Sequence, residues 1–306
     1  MAFIAKFSSV SLLLMLSVFF CGCPSGQQGN IDEQALSEAE TDIAEKGSLE
    51  AKVTQAKNML YLIPSPIETA MLLHKAGAEY DSDIVNAPQN VSKYDTKRSK
   101  SINLGIYGAD LSYANMFEQS QEAMFIVSAA KKLAEGIGVM KAFDQSTMDR
   151  MEQNINDRDS MLHIISDVYW IADAYLKENE NSTTAALVVV GGWIEGLWIA
   201  VSVAKNNTEN QDVRKRIAEQ KYALDNLIGL VSNYDEDEDI KYILKDLSDL
   251  KVTYDKLEIV KSKSDHSTDP ETGIMTIGGI KEVKMTEEQF TEIAEKVISI
   301  RTKYIE

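Results

Sequence analysis

Residues 185–203, with the sequence AALVVVGGWIEGLWIAVSV, form the most apolar stretch of the body of the chain. Nineteen residues with a single charge, Glu195, are long enough for a transmembrane helix. A charge at the centre of a bilayer is costly, however, and the glycines at 191, 192 and 196 allow a neighbouring helix to approach closely. The stretch therefore predicts a central helix that is buried on all sides by other helices, with a transmembrane helix as the alternative.

Apolar residues at alternating spacings of three and four lie on both sides of this stretch and predict further amphipathic helices. Such spacing favours packing into a bundle. Residues 272–285 break the helical period, because Gly278 and Gly279 separate two short β-favouring runs. The predicted fold is all-α, a multi-helix bundle with a small β-hairpin or flap near residues 272–285. The helical series occur within residues 49–63, 123–137, 162–176, 213–231, 240–257 and 290–304.

Residues 77–102 have little apolar period and include the basic residues Lys97, Arg98 and Lys100. A loop of this length inside a compact domain is uncommon. We therefore expect either a functional loop or a joint within an all-helical domain of residues 31–306. The basic residues are expected to be solvated, with contact to an anionic lipid or a partner as the alternative.

Composition excludes several classes of protein. A hydrophobic content of 44% argues against disorder. A formal net charge of −17 would repel a nucleic-acid backbone, so no nucleic-acid partner is expected. The only two cysteines lie within the first 23 residues, which excludes a disulfide framework and a catalytic thiol in the body. With three histidines in 306 residues, we expect neither a metal site nor a cofactor.

The N-terminus has the layout of an export signal. Lys6 lies in a short basic region, an apolar run covers residues 10–20, and the sequence Cys21-Gly22-Cys23 follows. The run is too short to span a bilayer comfortably. These residues resemble a bacterial lipoprotein signal, in which a small residue such as Gly22 precedes the lipid-bearing cysteine. Phe20 and Cys21 depart from the residues usual at their positions.

The resemblance implies a signal peptide at residues 1–22, lipid attachment at Cys23 and a tether at residues 23–30. The protein would then be held on a membrane of the cell envelope by its N-terminal lipid, with the outer membrane as the default and its periplasmic and surface faces both open. An uncleaved anchor and a plain secretory signal are the alternatives. The body also resembles uncharacterised all-helical lipoproteins of Gram-negative bacteria, a likeness that implies no activity.

Glu195 is the most informative carboxylate in the sequence, because burial in the central helix would raise its pKa. Together with Trp193 and Trp198 it could line a pocket for a cationic or polar ligand. The alternative is a structural carboxylate that accepts hydrogen bonds from adjoining helices. The glycine- and tyrosine-containing segment 103–114 adds Tyr107 and Asp110 as candidates.

A helical face with a histidine and acidic residues supplies the last candidate. His163, Asp167 and Asp173 lie at spacings compatible with one edge of a metal site, but the expected interpretation is a surface or hydrogen-bonding role. The full set of possible pocket residues is Trp193, Glu195, Trp198, Tyr107, Asp110 and Asp167.

The sequence contains no recognisable catalytic motif, so we expect a protein that is not an enzyme. The leading hypothesis is a binding or scaffold module for an envelope protein or a small ligand. One alternative is a carboxylate-based hydrolase or lyase centred on Glu195. The other is a purely structural envelope protein.

Overall fold

Nearly all of the chain that the computed structural model describes folds into α-helices, which confirms the predicted all-α class. The described residues are 63–139, 144–178, 181–206, 210–261, 266–268, 275–277 and 281–306. The predicted signal, Cys23 and the tether lie outside them. The helices are α1 (Pro66–Lys75), α2 (Lys97–Met116), α3 (Ser120–Ile137), α4 (Gln145–Gln153), α5 (Arg158–Glu178), α6 (Ser182–Asn206), α7 (Gln211–Val231), α8 (Glu238–Tyr254) and α9 (Glu287–Ile305).

Helix α6 contains the apolar stretch and lies at the centre of the bundle. It is long and apolar enough to cross a membrane, yet 89% of its most apolar window is buried inside the protein. The glycines explain how its closest neighbour, α2, packs against it. A Cβ on Gly105 would lie 2.0 Å from the carbonyl oxygen of Val188, and one on Gly191 would lie 2.0 Å from that of Ile102. The backbones of α2 and α6 therefore touch where the two helices cross.

Two hydrophobic clusters meet at the α2–α6 pair. One cluster joins α6 to α7, α8 and α9 through residues such as Leu187, Leu224 and Ile293. The other joins the opposite side of α2 to α3, α4 and α5 through residues such as Leu111 and Ile126. Because α2 and α6 contribute to both clusters, they hold the two halves of the core together.

The irregular part of the fold is a ribbon of short antiparallel strands before α9. Strand β1 (Glu258–Lys261) pairs with β4 (Lys281–Lys284), and β2 (His266–Thr268) pairs with β3 (Met275–Ile277). Strands β3 and β4 fall within the predicted hairpin segment, but each pairs with an upstream strand rather than with the other. Val283 is buried in the core cluster that contains α7 and α9, so the ribbon leans on the bundle as an isolated hairpin must.

The segment between α1 and α2, residues 78–95, is here named the strap. It contains two 3₁₀ turns, Ser82–Ile84 and Pro88–Lys93. It is shorter than the sequence predicted, because Thr96 starts α2 with a capping box that includes Ser99. The basic residues therefore lie in the first turn of a helix, where Arg98 pairs with Asp239 at 2.8 Å.

Candidate functional site

A buried ion pair lies where α6, α9 and the strap meet. The Glu195 carboxylate is completely inaccessible to solvent, and the side chain of Arg301 on α9 is 11% exposed. Arg301 donates from Nε to Glu195 Oε2 at 3.1 Å and from Nη2 to Oε1 at 3.0 Å. A two-point contact of this kind fixes both the distance and the orientation of the two groups. It therefore sets the register of α9 against the central helix.

The same arginine also holds the strap. Arg301 Nη2 donates to the carbonyl oxygen of Ile84 at 3.2 Å, and the indole Nε1 of Trp198 donates to the same oxygen at 2.7 Å. The guanidinium carbon lies 5.2 Å from the centre of the Trp198 ring, within the range of a cation–π interaction. One turn of the strap is thus clamped by side chains from α6 and α9.

A second carboxyl group, Asp110 on α2, reaches this ion pair. Its Oδ2 accepts from the backbone N–H of Asn86 at 3.1 Å, and its side chain lies within hydrogen-bonding reach of Glu195. Burial raises the pKa of Asp110 well above its usual range; the charge of Glu195 raises it further, and Arg301 opposes the shift. Burial also raises the pKa of Glu195, against the lowering effect of Arg301. The site holds two carboxyl groups and one guanidinium.

Buried amides extend this network toward the end of α9. The Asn86 amide donates to the Tyr94 hydroxyl at 3.0 Å and to Asn103 Oδ1 at 3.3 Å. Asn103 in turn donates to the carbonyl oxygen of Tyr304 at 2.7 Å. Since α9 is near its end at Tyr304, the bond from Asn103 satisfies a carbonyl oxygen that the helix leaves unpaired.

Tyr107 lies beside the network and holds the strap one residue beyond Asn86. Its hydroxyl donates to the carbonyl oxygen of Ala87 at 2.9 Å. Burial raises its pKa above the range of ordinary tyrosines, and the nearby Asp110 adds to the shift. The hydroxyl therefore stays protonated and acts as a hydrogen-bond donor.

The structure brings four of the six sequence-derived candidates into this network: Glu195, Asp110, Trp198 and Tyr107. Asp167 lies elsewhere, on the surface, where it accepts from Arg150 at 2.8 Å. Trp193 also lies elsewhere, for a reason set by helix geometry. Two positions along a helix turn by about 200°, so Trp193 and Glu195 leave α6 on opposite faces.

Trp193 lines a cavity of about 500 Å³ between α1, α6 and α7. Its wall is largely apolar and includes Leu72, Leu197 and Ala200. The indole Nε1 of Trp193 donates to Gln220 Oε1 at 3.0 Å, so its polar atom is already engaged. The hydroxyl of Tyr222, another residue of the lining, is buried and has no hydrogen-bond partner among the described residues.

A second, more open cavity of about 640 Å³ lies on the outer side of the strap, against the start of α3. Val85 and Pro88 of the strap line one side, and Glu118 and Phe125 line the other. The side chain of Phe125 is 58% exposed. Glu118 has a φ of +59°, an uncommon value for a residue other than glycine.

Arg301 is the residue that sequence reasoning missed. It lies within the apolar series of the last helix, four residues after Val297 and three before Tyr304. A cation at such an inward position is a usable signal, because a buried charge needs a partner of opposite sign. Matching it to the single carboxylate of the central helix would have identified the pair.

Comparison with known proteins adds no family: no protein-family description, no curated protein and no solved structure matches this chain. Among the residues that the structure describes, no three His, Cys, Asp or Glu side chains are grouped so that they could hold a metal ion.

Proposed function

We propose that this chain is a lipid-anchored cell-envelope protein that binds a small ligand or a protein partner at the cavity beside Trp193. The observation that carries the proposal is the cavity itself. Its volume of about 500 Å³ falls within the range of small-molecule sites, and its lining combines an apolar wall with a few polar groups. The tryptophan offers a large, rigid contact surface for a bound molecule.

The anchoring part of the proposal rests on the sequence of the first 30 residues. A lipid on Cys23 and a short Gly/Gln/Ser-rich tether would hold the helical body next to the membrane, with the outer membrane as the default. Metabolic labelling with an alkyne fatty acid tests this directly. Label should be lost in Cys23→Ser and kept in Cys21→Ser, and label that survives Cys23→Ser would contradict lipid attachment at Cys23.

The binding part is tested by filling the cavity. Ala200 lines it and is 6% exposed, so Ala200→Leu places three further carbon atoms against the space. Nile red, a neutral apolar dye, serves as the probe in the full chain. We expect Ala200→Leu to weaken dye binding at least tenfold, while Val252→Ala, a change at an exposed site outside the cavity lining, leaves it unaltered. Equal dye binding by both variants would refute a site in this cavity.

One observation favours a second candidate, a hydrolase or lyase that uses carboxyl groups. Asp110 and Glu195 lie within hydrogen-bonding reach of each other, as paired catalytic carboxyls do. Both side chains are fully buried, however, and neither lines either of the two cavities described above. We therefore place binding first. Turnover of an ester or glycoside panel that is abolished by Asp110→Asn would reverse the order.

A further inference from the structure

We propose that Asp110 is protonated at neutral pH and that its O–H donates a hydrogen bond to Glu195. This hydrogen bond completes a proton-dependent clasp on the strap. The clasp consists of Asp110, Glu195 and Arg301, which hold the strap at Ile84 and Asn86. This proposal concerns the buried network alone and does not depend on what the Trp193 cavity binds.

The first argument is a count of charges and donors. Arg301 is the one cation of the clasp, and both of its contacts to Glu195 are already made. Asp110 Oδ1 is buried and faces no N–H or O–H donor among the described residues. A carboxylate that is inaccessible to solvent, has no cation of its own and leaves one oxygen without a donor is strongly unfavourable. A proton on Asp110 removes that charge, and the resulting O–H can donate to Glu195.

The second argument is that the tyrosines around Asp110 add no charge to that of the Glu195–Arg301 pair. The charged groups that face it are Glu195 from α6 and Arg301 from α9. From the strap, Tyr80 faces it, and Tyr94 borders the same network through its hydrogen bond with Asn86. Tyr107 faces it from its own helix. Burial raises the pKa of all three tyrosines, so each hydroxyl stays neutral.

The clasp acts on the strap because its members hold consecutive parts of that segment. Asp110 accepts from Asn86, and Arg301 donates to Ile84, two residues earlier. When Asp110 loses its proton to solvent, its hydrogen bond to Glu195 is lost and two buried carboxylates then oppose one guanidinium. Repulsion between them loosens the contacts of α2 and α6 with the strap. The strap lines the second cavity through Val85 and Pro88, so its release would open that wall.

The sign of the pH effect follows from proton binding. An unfolded aspartate loses its proton near pH 3.9. Above that pH the folded state binds one more proton than the unfolded state does, until Asp110 itself ionises. The folding equilibrium constant therefore falls tenfold for each unit of rising pH over that interval. The stabilisation that comes from this proton is fully present below the pKa of Asp110 in the unfolded state. It is lost as the pH rises through the pKa of Asp110 in the folded state.

Asp110→Asn is the decisive variant, because an amide can accept from Asn86 and donate to Glu195 without a titrating proton. Denaturant unfolding of the full chain in detergent from pH 5 to pH 8 gives the ratio of wild-type to variant folding constants. We expect this ratio to fall about tenfold per pH unit. Asp246→Asn is the matched control, since both oxygens of that buried carboxylate accept from Lys303 at 2.8 Å. The ratio of wild-type to Asp246→Asn folding constants should stay level over the same pH range.

Amide hydrogen exchange reports the strap itself. Protection of residues 81–94 is compared between the wild type and Asp110→Asn at the same pH. As the pH rises, the wild type should lose protection relative to the variant. A wild-type to Asp110→Asn ratio that is level from pH 5 to pH 7 would overturn the proposal. If the variant fails to fold, infrared spectroscopy of the wild type decides: a protonated carboxyl band at pH 7 supports the clasp, and its absence refutes it.

Discussion

Replacing Arg301 with methionine should destabilise the protein strongly, because it removes the cation that pairs with Glu195 in a buried cluster of two carboxyl groups. The guanidinium makes hydrogen bonds of 3.0 and 3.1 Å to a carboxylate with no solvent exposure. Removing one partner of such a pair typically costs about 3–5 kcal/mol. For a body of this size, that loss corresponds to a fall in Tm of roughly 6–20 °C.

The pH dependence of this variant distinguishes charge from packing. Without Arg301, both Glu195 and Asp110 must bind protons to stay buried, so their folded pKa values rise further above the unfolded ones. The stability that comes from these protons is present at low pH and is lost as the pH rises through the folded pKa. The loss caused by Arg301→Met should therefore be smaller at pH 5 than at pH 7.

Denaturant unfolding of the wild type, Arg301→Met and the double variant Arg301→Met/Glu195→Met provides the assay. The double variant removes both charges and keeps similar side-chain volume, so we expect it to recover most of the loss. The stability of Arg301→Lys should fall between that of the wild type and that of Arg301→Met, since an ammonium keeps the charge and loses the two-point contact. A loss below about 1 kcal/mol for Arg301→Met, or no recovery in the double variant, would refute a charge-driven role.

Three further substitutions test the packing around the central helix. Gly105→Ala should cost about 3 kcal/mol or more in denaturant unfolding, because its Cβ would lie 2.0 Å from the carbonyl oxygen of Val188; a neutral result would contradict the backbone contact. Gly196→Ala is its matched control: the nearest atom, Oγ1 of Thr69, lies 3.6 Å away, so the gain in helix propensity should leave stability unchanged or raise it by up to about 1 kcal/mol. Trp198→Phe should cost about 1 kcal/mol, since Arg301 still donates to the oxygen that loses the indole, and faster hydrogen exchange of residues 81–94 would locate the effect in the strap.

The helical fold was predictable where apolar spacing is regular. The largely apolar composition of residues 185–203 correctly predicted a buried central helix, and the apolar spacing within residues 290–304 correctly predicted the last helix, α9. These signals are local: each depends on residues within one or two turns. They need no knowledge of which helices become neighbours.

Helix α2 was harder to recognise, because its buried face is partly polar. Asn103 and Asp110 are buried there beside Gly105, which lets α6 approach. Such residues weaken the apolar period on which a sequence prediction of a helix depends. Their burial becomes favourable only through partners on the strap and on α9, which are distant in sequence.

The candidate site was predictable only in part for the same reason. Burial of Glu195 followed from its place in the central helix, and Trp198, three positions later, lies close enough on the same side of α6 to share the site. The partner Arg301 lies 106 positions away, and no local pattern links it to Glu195. The grouping of Trp193 with Glu195 ignored the helical rotation between them, which leaves α6 with one cavity-lining face and one ion-paired face.

A photoreactive amino acid placed in the cavity gives the most direct test of a binding role. We would incorporate it at Leu72, a half-buried lining residue, and at Val252, an exposed residue outside the lining, and irradiate cells that carry the full chain. The proposed function predicts a specific adduct of defined mass from Leu72 that is absent from Val252 and reduced by Ala200→Leu. No adduct from Leu72, or the same adducts from both positions, would contradict it.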